Sequence, residues 1–170
     1  GVTGVDRVGA LGQRPIAKLL PELTSLLGLP EVPVYVRKDA QATAAVLPVQ
    51  PTAVLVRASL EEDPTHLRAT LARTLAITAP DCLFVTAFTE EQGRGMISAL
   101  IAAFGPPNLV SEVARESAAV AAELWNVVPQ KKQAQLREAL EKTPEYFDWD
   151  AAVKGVESIG ARAALYTGNL

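Results

Sequence analysis

The sequence predicts an α+β fold that is predominantly helical, with about six helices and a small sheet of two or three strands. Apolar residues recur at helical spacing through most of the chain, whereas residues 32–37 and 53–57 are short β-branched runs bounded by proline or polar residues. We expect these two runs to be strands that pair. The 170 residues are 49% hydrophobic and 21% charged, which is enough for one domain with a sizeable core and excludes disorder.

The first two predicted helices carry clear start and stop residues. Pro21 is expected to kink or split the first helix, and Gly28 to end it. Asp63 is an N-cap residue followed by Pro64 at the first helical position, and the second helix ends before Pro80. The apolar stripes of these helices are Ile16, Leu19, Leu20, Leu23 and Leu27, and Leu67, Leu71, Leu75 and Thr78.

A capping box starts the third predicted helix. Thr89 is followed three residues later by Gln92, and the apolar stripe ends at Gly105. A fourth helix is predicted over residues 109–125. The apolar residues of the third helix are Met96, Ile97, Leu100, Ile101 and Phe104.

Two more helices complete the fold. Pro129 separates a charged helix, residues 131–142, from the helix before it. Asp148 or Asp150 caps the last helix, whose small residues permit close contact with a neighbouring helix. Its predicted buried face consists of Trp149, Val153, Val156, Gly160, Ala163 and Ala164.

The chain contains no repeat and no low-complexity tract, so we predict a single domain over residues 14–170. Residues 1–13 contain four spaced glycines, which could suggest a phosphate-binding loop. No strand precedes them and no Gly-Lys-Ser/Thr sequence follows, so we expect a flexible N-terminal segment, or lead-in, instead. The chain starts without methionine or a leader sequence. We therefore expect a domain excised from a longer protein, and the absence of disulfides favours a cytoplasmic location.

Charge and composition exclude several functions. A net charge of −3 gives no indication of a basic surface that could bind the phosphates of DNA or RNA. The longest apolar runs fall far short of the roughly 20 residues of a membrane-spanning helix, so no transmembrane segment is predicted. Cys82 and His66 are the only residues of their types, so neither an internal disulfide nor a multi-histidine metal site can form.

Few residues are candidates for catalysis. His66 lies in the first turn of a predicted helix among acidic residues, which favours a solvated side chain. Cys82 follows Pro80 and Asp81 in an apolar stretch, which favours a small buried thiol. A zinc ion would need His66, Cys82 and a carboxylate together, and their separation across a helix argues against that site.

Paired carboxylates and aromatic residues are weaker indications of a catalytic or binding site. The acidic clusters at residues 61–63, 90–91 and 148–150 lie at helix starts, where they complement the helix dipole. Trp125, Tyr146, Phe147 and Trp149 could line a ligand or partner groove, although most of them are expected in the core.

The order of these elements resembles the start of an HtpX-type or CAAX-prenyl-protease-type zinc metallopeptidase domain. The resemblance covers residues 16–84 and 145–170, and it implies a zincin-like fold. In that family a helix after the second strand carries the HExxH motif, whose histidines hold zinc and whose glutamate polarises the metal-bound water. The matching pentad here is Ala-Arg-Thr-Leu-Ala, with Ala72 and Ala76 at the ligand positions and Arg73 at the position of the base.

The family's third ligand comes from a later helix that the segment 157–165 resembles. Glu157 occupies the ligand position and Ala161 replaces the aspartate. One ligand cannot hold a catalytic zinc, so the resemblance implies a pseudo-peptidase without metal or other cofactor. We expect Ala72 and Ala76 to lie opposite the small residues at 160, 161 and 164. Arg73 and Glu157 are then expected to pair or to lie near each other.

These observations predict a non-catalytic protein-interaction or scaffolding domain. Its partner is an unidentified protein or another domain of the same parent chain, and the resemblance places such domains in the C-terminal parts of larger bacterial proteins with helical repeats. This function predicts an exposed apolar patch on the order of several hundred Å². The alternatives are a hydrolase with an unrecognised carboxylate or Cys82 site, and a small-molecule sensor with a pocket under Trp125 and Trp149.

Overall fold

The computed structural model describes residues 6–7, 12–107, 116–142 and 147–168. These residues form seven α-helices, one 3-10 helix and a small mixed sheet, so the predominantly helical α+β class is confirmed. The chain divides into two compact units. The first unit comprises Gly1–Ala87 and Ala151–Leu170, and the second comprises Phe88–Asp150.

The first unit contains the sheet. Its elements are β1 (Asp6–Arg7), α1 (Pro15–Leu26), β2 (Val34–Arg37), β3 (Ala44–Leu47), β4 (Ala53–Arg57), the 3-10 helix (Ala58–Glu62), α2 (Pro64–Ala76) and α3 (Pro80–Ala87). The strand order is β1-β2-β4-β3, with β2 parallel to β4 and β3 antiparallel to it. The two predicted strands therefore pair as expected. β1 lies within the predicted lead-in, most of which is outside the described residues.

Helix α1 continues through Pro21 instead of splitting there. Ile16 and Leu23, on either side of the proline, are both fully buried, so both halves of the helix are held by the same core. Gly28 ends the helix as predicted, with a φ of +63° that glycine adopts without strain. The amide of Leu29 then donates to Thr24 at 2.9 Å, and that of Gly28 donates to Ser25 at 3.2 Å.

The core of the first unit lies between the sheet and helices α1 and α2. Asp63 caps α2 as predicted, because its carboxylate accepts a hydrogen bond of 3.0 Å from the His66 amide. The predicted stripe of α2 is buried. The largest fully buried aliphatic side chains are Ile16, Leu23, Val34, Val54, Val56, Leu67, Leu71 and Leu75.

The second unit is helical. Its elements are α4 (Glu90–Phe104), α5 (Glu116–Val127), α6 (Gln130–Lys142) and the start of α7 (Trp149–Gly168). From Ala151 onward, α7 belongs to the first unit. The capping box of Thr89 and Gln92 is present, and Gln133 donates to two carbonyls at the end of α5. The beginning of the predicted helix 109–125 lies outside the described residues.

The predicted burial of α7 is confirmed only in part. Trp149, Gly160 and Ala163 are buried, whereas Val153, Val156 and Ala164 are partly buried. Among the described residues, no helix combines the length and the apolar character needed to cross a membrane.

Candidate functional site

The residues at the metallopeptidase motif positions have two different environments. Ala72 and Ala76 on α2 are buried, and Ala72 belongs to the core that α2 forms with the sheet. Arg73, Glu157 and Ala161 are exposed. The expectation that Ala161 faces α2 is therefore wrong, because the buried face of α7 in the first unit passes through residues 160, 163 and 167.

Helices α2 and α7 nevertheless approach closely, at Arg73 and Gly160. A Cβ atom added to Gly160 would lie 2.8 Å from Arg73 Cγ and 3.5 Å from the Arg73 carbonyl oxygen. No side chain larger than hydrogen fits there unless Arg73 moves. The small residue predicted at this contact is thus needed, and its nearest neighbour on α2 is Arg73.

The expected ion pair between Arg73 and Glu157 does not form. Salt bridges in the first unit join Arg14 to Glu61 at 2.9 Å, Arg37 to Asp39 at 2.5 Å and Arg68 to Glu22 at 2.7 Å. Within the part of the chain that the structure describes, Arg73 forms neither an ion pair nor a side-chain hydrogen bond. Its guanidinium is therefore available to a ligand.

A groove of about 390 Å³ lies between β3 and α2 and contains Arg73. Its polar lining residues are Arg73 and three threonines, and the described residues of the lining include no aspartate, glutamate, histidine or cysteine. The Thr74 hydroxyl donates to the Thr70 carbonyl at 2.8 Å within α2. The groove is lined by Thr43, Ala44, Ala45, Val46, Thr70, Arg73, Thr74 and Ile77.

The strand beside this groove has an open edge. β3 is the last strand in the sheet order, and no strand among the described residues pairs with its outer side. The Arg57 amide donates to the Thr43 carbonyl at 2.8 Å. Hydrogen-bonded pairs alternate along an antiparallel ladder, so the N–H and C=O groups of Ala44 and Val46 point away from β4, towards the open edge.

A second cleft, of about 510 Å³, lies between α1 and α2 beside Gly168. Its charged groups are engaged with one another. Arg68 donates to Glu22 Oε1 at 2.7 Å and to the Thr167 carbonyl at 2.6 Å, which links three helices. The hydrogen bond from Arg68 lowers the pKa of Glu22. These contacts are typical of a structural role, because they hold α1, α2 and α7 together.

The single histidine and the single cysteine do not form a reactive site. His66 is exposed in the first turn of α2, as predicted. Cys82 is 2% exposed, and both burial and the charge of Asp81 raise the pKa of its thiol, which disfavours the reactive thiolate. No group of three or more histidine, cysteine, aspartate or glutamate side chains in the described ranges could hold a metal ion.

Two of the acidic clusters have structural partners. Glu61 is only 12% exposed in its side chain, pairs with Arg14 and accepts a 3.4 Å hydrogen bond from the amide of Ile16 in the first turn of α1. Glu90, in the first turn of α4, pairs with Arg94 at 2.8 Å. Glu90 thus lies in the first turn of its own helix, as expected, whereas Glu61 contacts the first turn of α1 instead of the helix that follows it.

The aromatic residues do not share one groove. The Trp149 ring lies on Gly93, where an added Cβ would be 2.1 Å from the ring, so no ligand space remains there. Trp125 packs against Phe104, with ring centroids 5.5 Å apart, and lies under Arg137. Phe147 contacts Trp149, and Tyr146 lies outside the described residues.

Sequence reasoning predicted one wall of the groove and missed the other. Arg73 was singled out, whereas β3 and the hydroxyls of Thr70 and Thr74 were not. β3 is rich in alanine, which has low β-propensity. The usable signal is its position between the two predicted strands, where Pro48 and Pro51 indicate a tight connection into β4.

No protein-family model, curated protein or solved structure matches the chain. The resemblance to zinc metallopeptidases therefore stays a prediction, and the site is interpreted from its own residues.

Proposed function

We propose that this chain is a non-catalytic protein-binding module that holds an extended segment of a partner protein along the open edge of β3. The observation that carries the proposal is the position of that edge beside a groove of about 390 Å³. An added strand would pair with Ala44 and Val46, and its side chains on one face would enter the groove. Strand addition to an exposed edge is a common mode of peptide recognition.

The chemistry of the groove supports binding rather than catalysis. The described residues of its lining offer no general base, no nucleophile with a neighbouring base and no metal ligand. If the chain derives from a zinc metallopeptidase-like fold, as its element order suggests, then Arg73 stands at the position of the base, and the ligand positions 72 and 76 are alanine. Fold alone does not carry activity without those residues.

Backbone pairing alone would give weak binding. The four outward groups of Ala44 and Val46 contribute about 0.5 to 1.5 kcal/mol per hydrogen bond. Selectivity must therefore come from the side chains of the groove. A partner protein or another domain of the parent chain could supply the segment, and the single buried cysteine is consistent with the cytoplasm as the compartment that we propose.

A selection from random octapeptides, displayed without a free carboxyl terminus, tests this proposal. An extended octapeptide spans about 27 Å, more than the length of β3. We expect selected peptides to shift the amide resonances of Ala44 and Val46 and to slow their hydrogen exchange. Selected peptides that leave both amides unchanged would contradict the proposal.

A proline variant sharpens the test. Val46→Pro removes an outward N–H group while leaving the ladder to β4 intact, a position where edge strands tolerate proline. We expect this variant to lose peptide binding and the matched control Val46→Thr to retain it. Equal binding by the two variants, both shown to be folded by circular dichroism, would count against pairing at this edge.

A further inference from the structure

The partner segment can be described further from the charges in the groove, and this step rests on the proposed function. Among the described residues that line the groove, Arg73 is the only charged one, and no acidic side chain accompanies it. The other lining side chains are methyl groups, hydroxyl groups and the side chains of Val46 and Ile77. A ligand that fills the groove therefore meets one cation without a counterion.

Helix α7 restrains the side chain of Arg73. The Cα of Gly160 lies so close that a Cβ there would be 2.8 Å from Arg73 Cγ and 3.5 Å from Arg73 Nε. The arginine side chain, from Cγ to Nε, thus packs against the backbone of α7 at Gly160. A side chain held in this way loses less conformational entropy when its guanidinium is bound.

We infer that the groove selects an extended segment with an aspartate or glutamate side chain facing Arg73, and that Gly160 positions Arg73 for this contact. A guanidinium matches a carboxylate with two parallel hydrogen bonds, which lysine does not reproduce. The threonine hydroxyls and methyl groups beside Arg73 accommodate small or β-branched neighbours. Arg73 is the specificity-determining residue, and Gly160 is a positioning residue.

The octapeptide selection gives a direct readout of this preference. With the unmodified chain we expect aspartate or glutamate to be enriched at one position of the selected peptides. Replacing that acid by its amide should weaken binding about fivefold, with a smaller difference at high salt. The variant Arg73→Gln, which keeps most of the aliphatic stem, should bind the acid and amide peptides equally. Arg73→Glu should instead enrich lysine or arginine.

Two glycine variants separate positioning from folding. Gly160→Ala retains the charge but displaces Arg73, so we expect it to lose most of the preference for acid over amide. Gly155→Ala lies on the same helix with nothing within 4 Å of the added Cβ, and it should keep the preference. A preference unchanged by Gly160→Ala would overturn the positioning role of Gly160.

The outcomes also distinguish this inference from the proposed function. Peptides that bind at Ala44 and Val46 with no acid enrichment, or with a preference that persists in Arg73→Gln, would overturn the inference and leave strand addition standing. A selection that yields no peptide for any form of the chain would overturn both.

Discussion

The two units bury their apolar residues in different ways. In the first unit, twelve buried residues form one cluster that includes large aliphatic side chains, and ten of them come from α1, α2 and the sheet. In the second unit, the buried members of the cluster are Ala103, Phe104 and Ala121, and the surrounding leucines are only partly buried. A sheet face gives two helices a common surface, whereas the helices α4, α5 and α6 enclose mainly small side chains.

This difference predicts how stability is distributed. Large aliphatic residues that are removed from water contribute about 1.5 to 3 kcal/mol each, which exceeds the contribution of alanine. The first unit should therefore be the more sensitive to truncation of its core. The second unit should depend more on specific aromatic contacts, such as that between Trp149 and Gly93.

The largest effect is expected from truncating the core of the first unit. Leu71→Ala removes a side chain that is 0% exposed and should destabilise the chain by about 2 to 5 kcal/mol. The matched change Leu136→Ala, at a partly buried position of α6, should cost only about 1 kcal/mol. Urea denaturation of both variants measures the difference, and equal costs would break the contrast between the units.

The next effect concerns the aromatic contact in the second unit. Gly93→Ala places a methyl group 2.1 Å from the Trp149 ring and should cost about 1 to 3 kcal/mol as the ring is displaced. Gly95→Ala, two residues away in the same helix, meets nothing within 4 Å and should stabilise α4 by about 0.5 to 1 kcal/mol. Tryptophan fluorescence and thermal unfolding report both changes. A stabilising Gly93→Ala would mean that Trp149 does not depend on this close approach.

The smallest effect is a dependence on pH in the first unit. The hydrogen bond from Arg68 lowers the pKa of Glu22 in the folded chain, so this contribution to stability is complete above the unfolded pKa, near 4.3. It is lost as the pH falls through the lower folded pKa. As the pH falls below about 4.3, the chain should therefore lose more stability than its Glu22→Gln variant.

An exposed glutamate provides the control for this titration. Glu141→Gln on α6 removes an exposed carboxylate that forms no ion pair within the described ranges. Unfolding midpoints measured across the acidic range compare the three chains. Parallel curves for all three would show that the link between Arg68 and Glu22 contributes nothing to folding.

Most helices were predictable because their ends are set by local chemistry. Asp63 with Pro64, Thr89 with Gln92, and Gly28 each act within a few residues. Helix α3 was missed because Pro80 was interpreted only as the end of α2. In the structure the same proline is the first residue of the next helix, where its missing N–H costs nothing.

The candidate site was only partly predictable because it depends on pairing between distant residues. The buried stripe of α2 follows from periodicity, and so does the exposure of Arg73. The open edge of β3 depends on strand order, since β2 pairs with β4 and leaves β3 outermost. No local pattern in an alanine-rich run of four residues specifies that order.

The second unit is one continuous stretch of chain, whereas the first is made from two segments that flank it. The hydrogen bond of Arg68 with the Thr167 carbonyl closes the first unit across 99 residues. During synthesis, helices α4, α5 and α6 leave the ribosome before α7 and can fold while the first unit still lacks α7. The side of α2 that contacts Gly160 is then available to chaperones until α7 emerges, so a truncation before Gly160 should release a chain with a formed second unit and an incomplete first one.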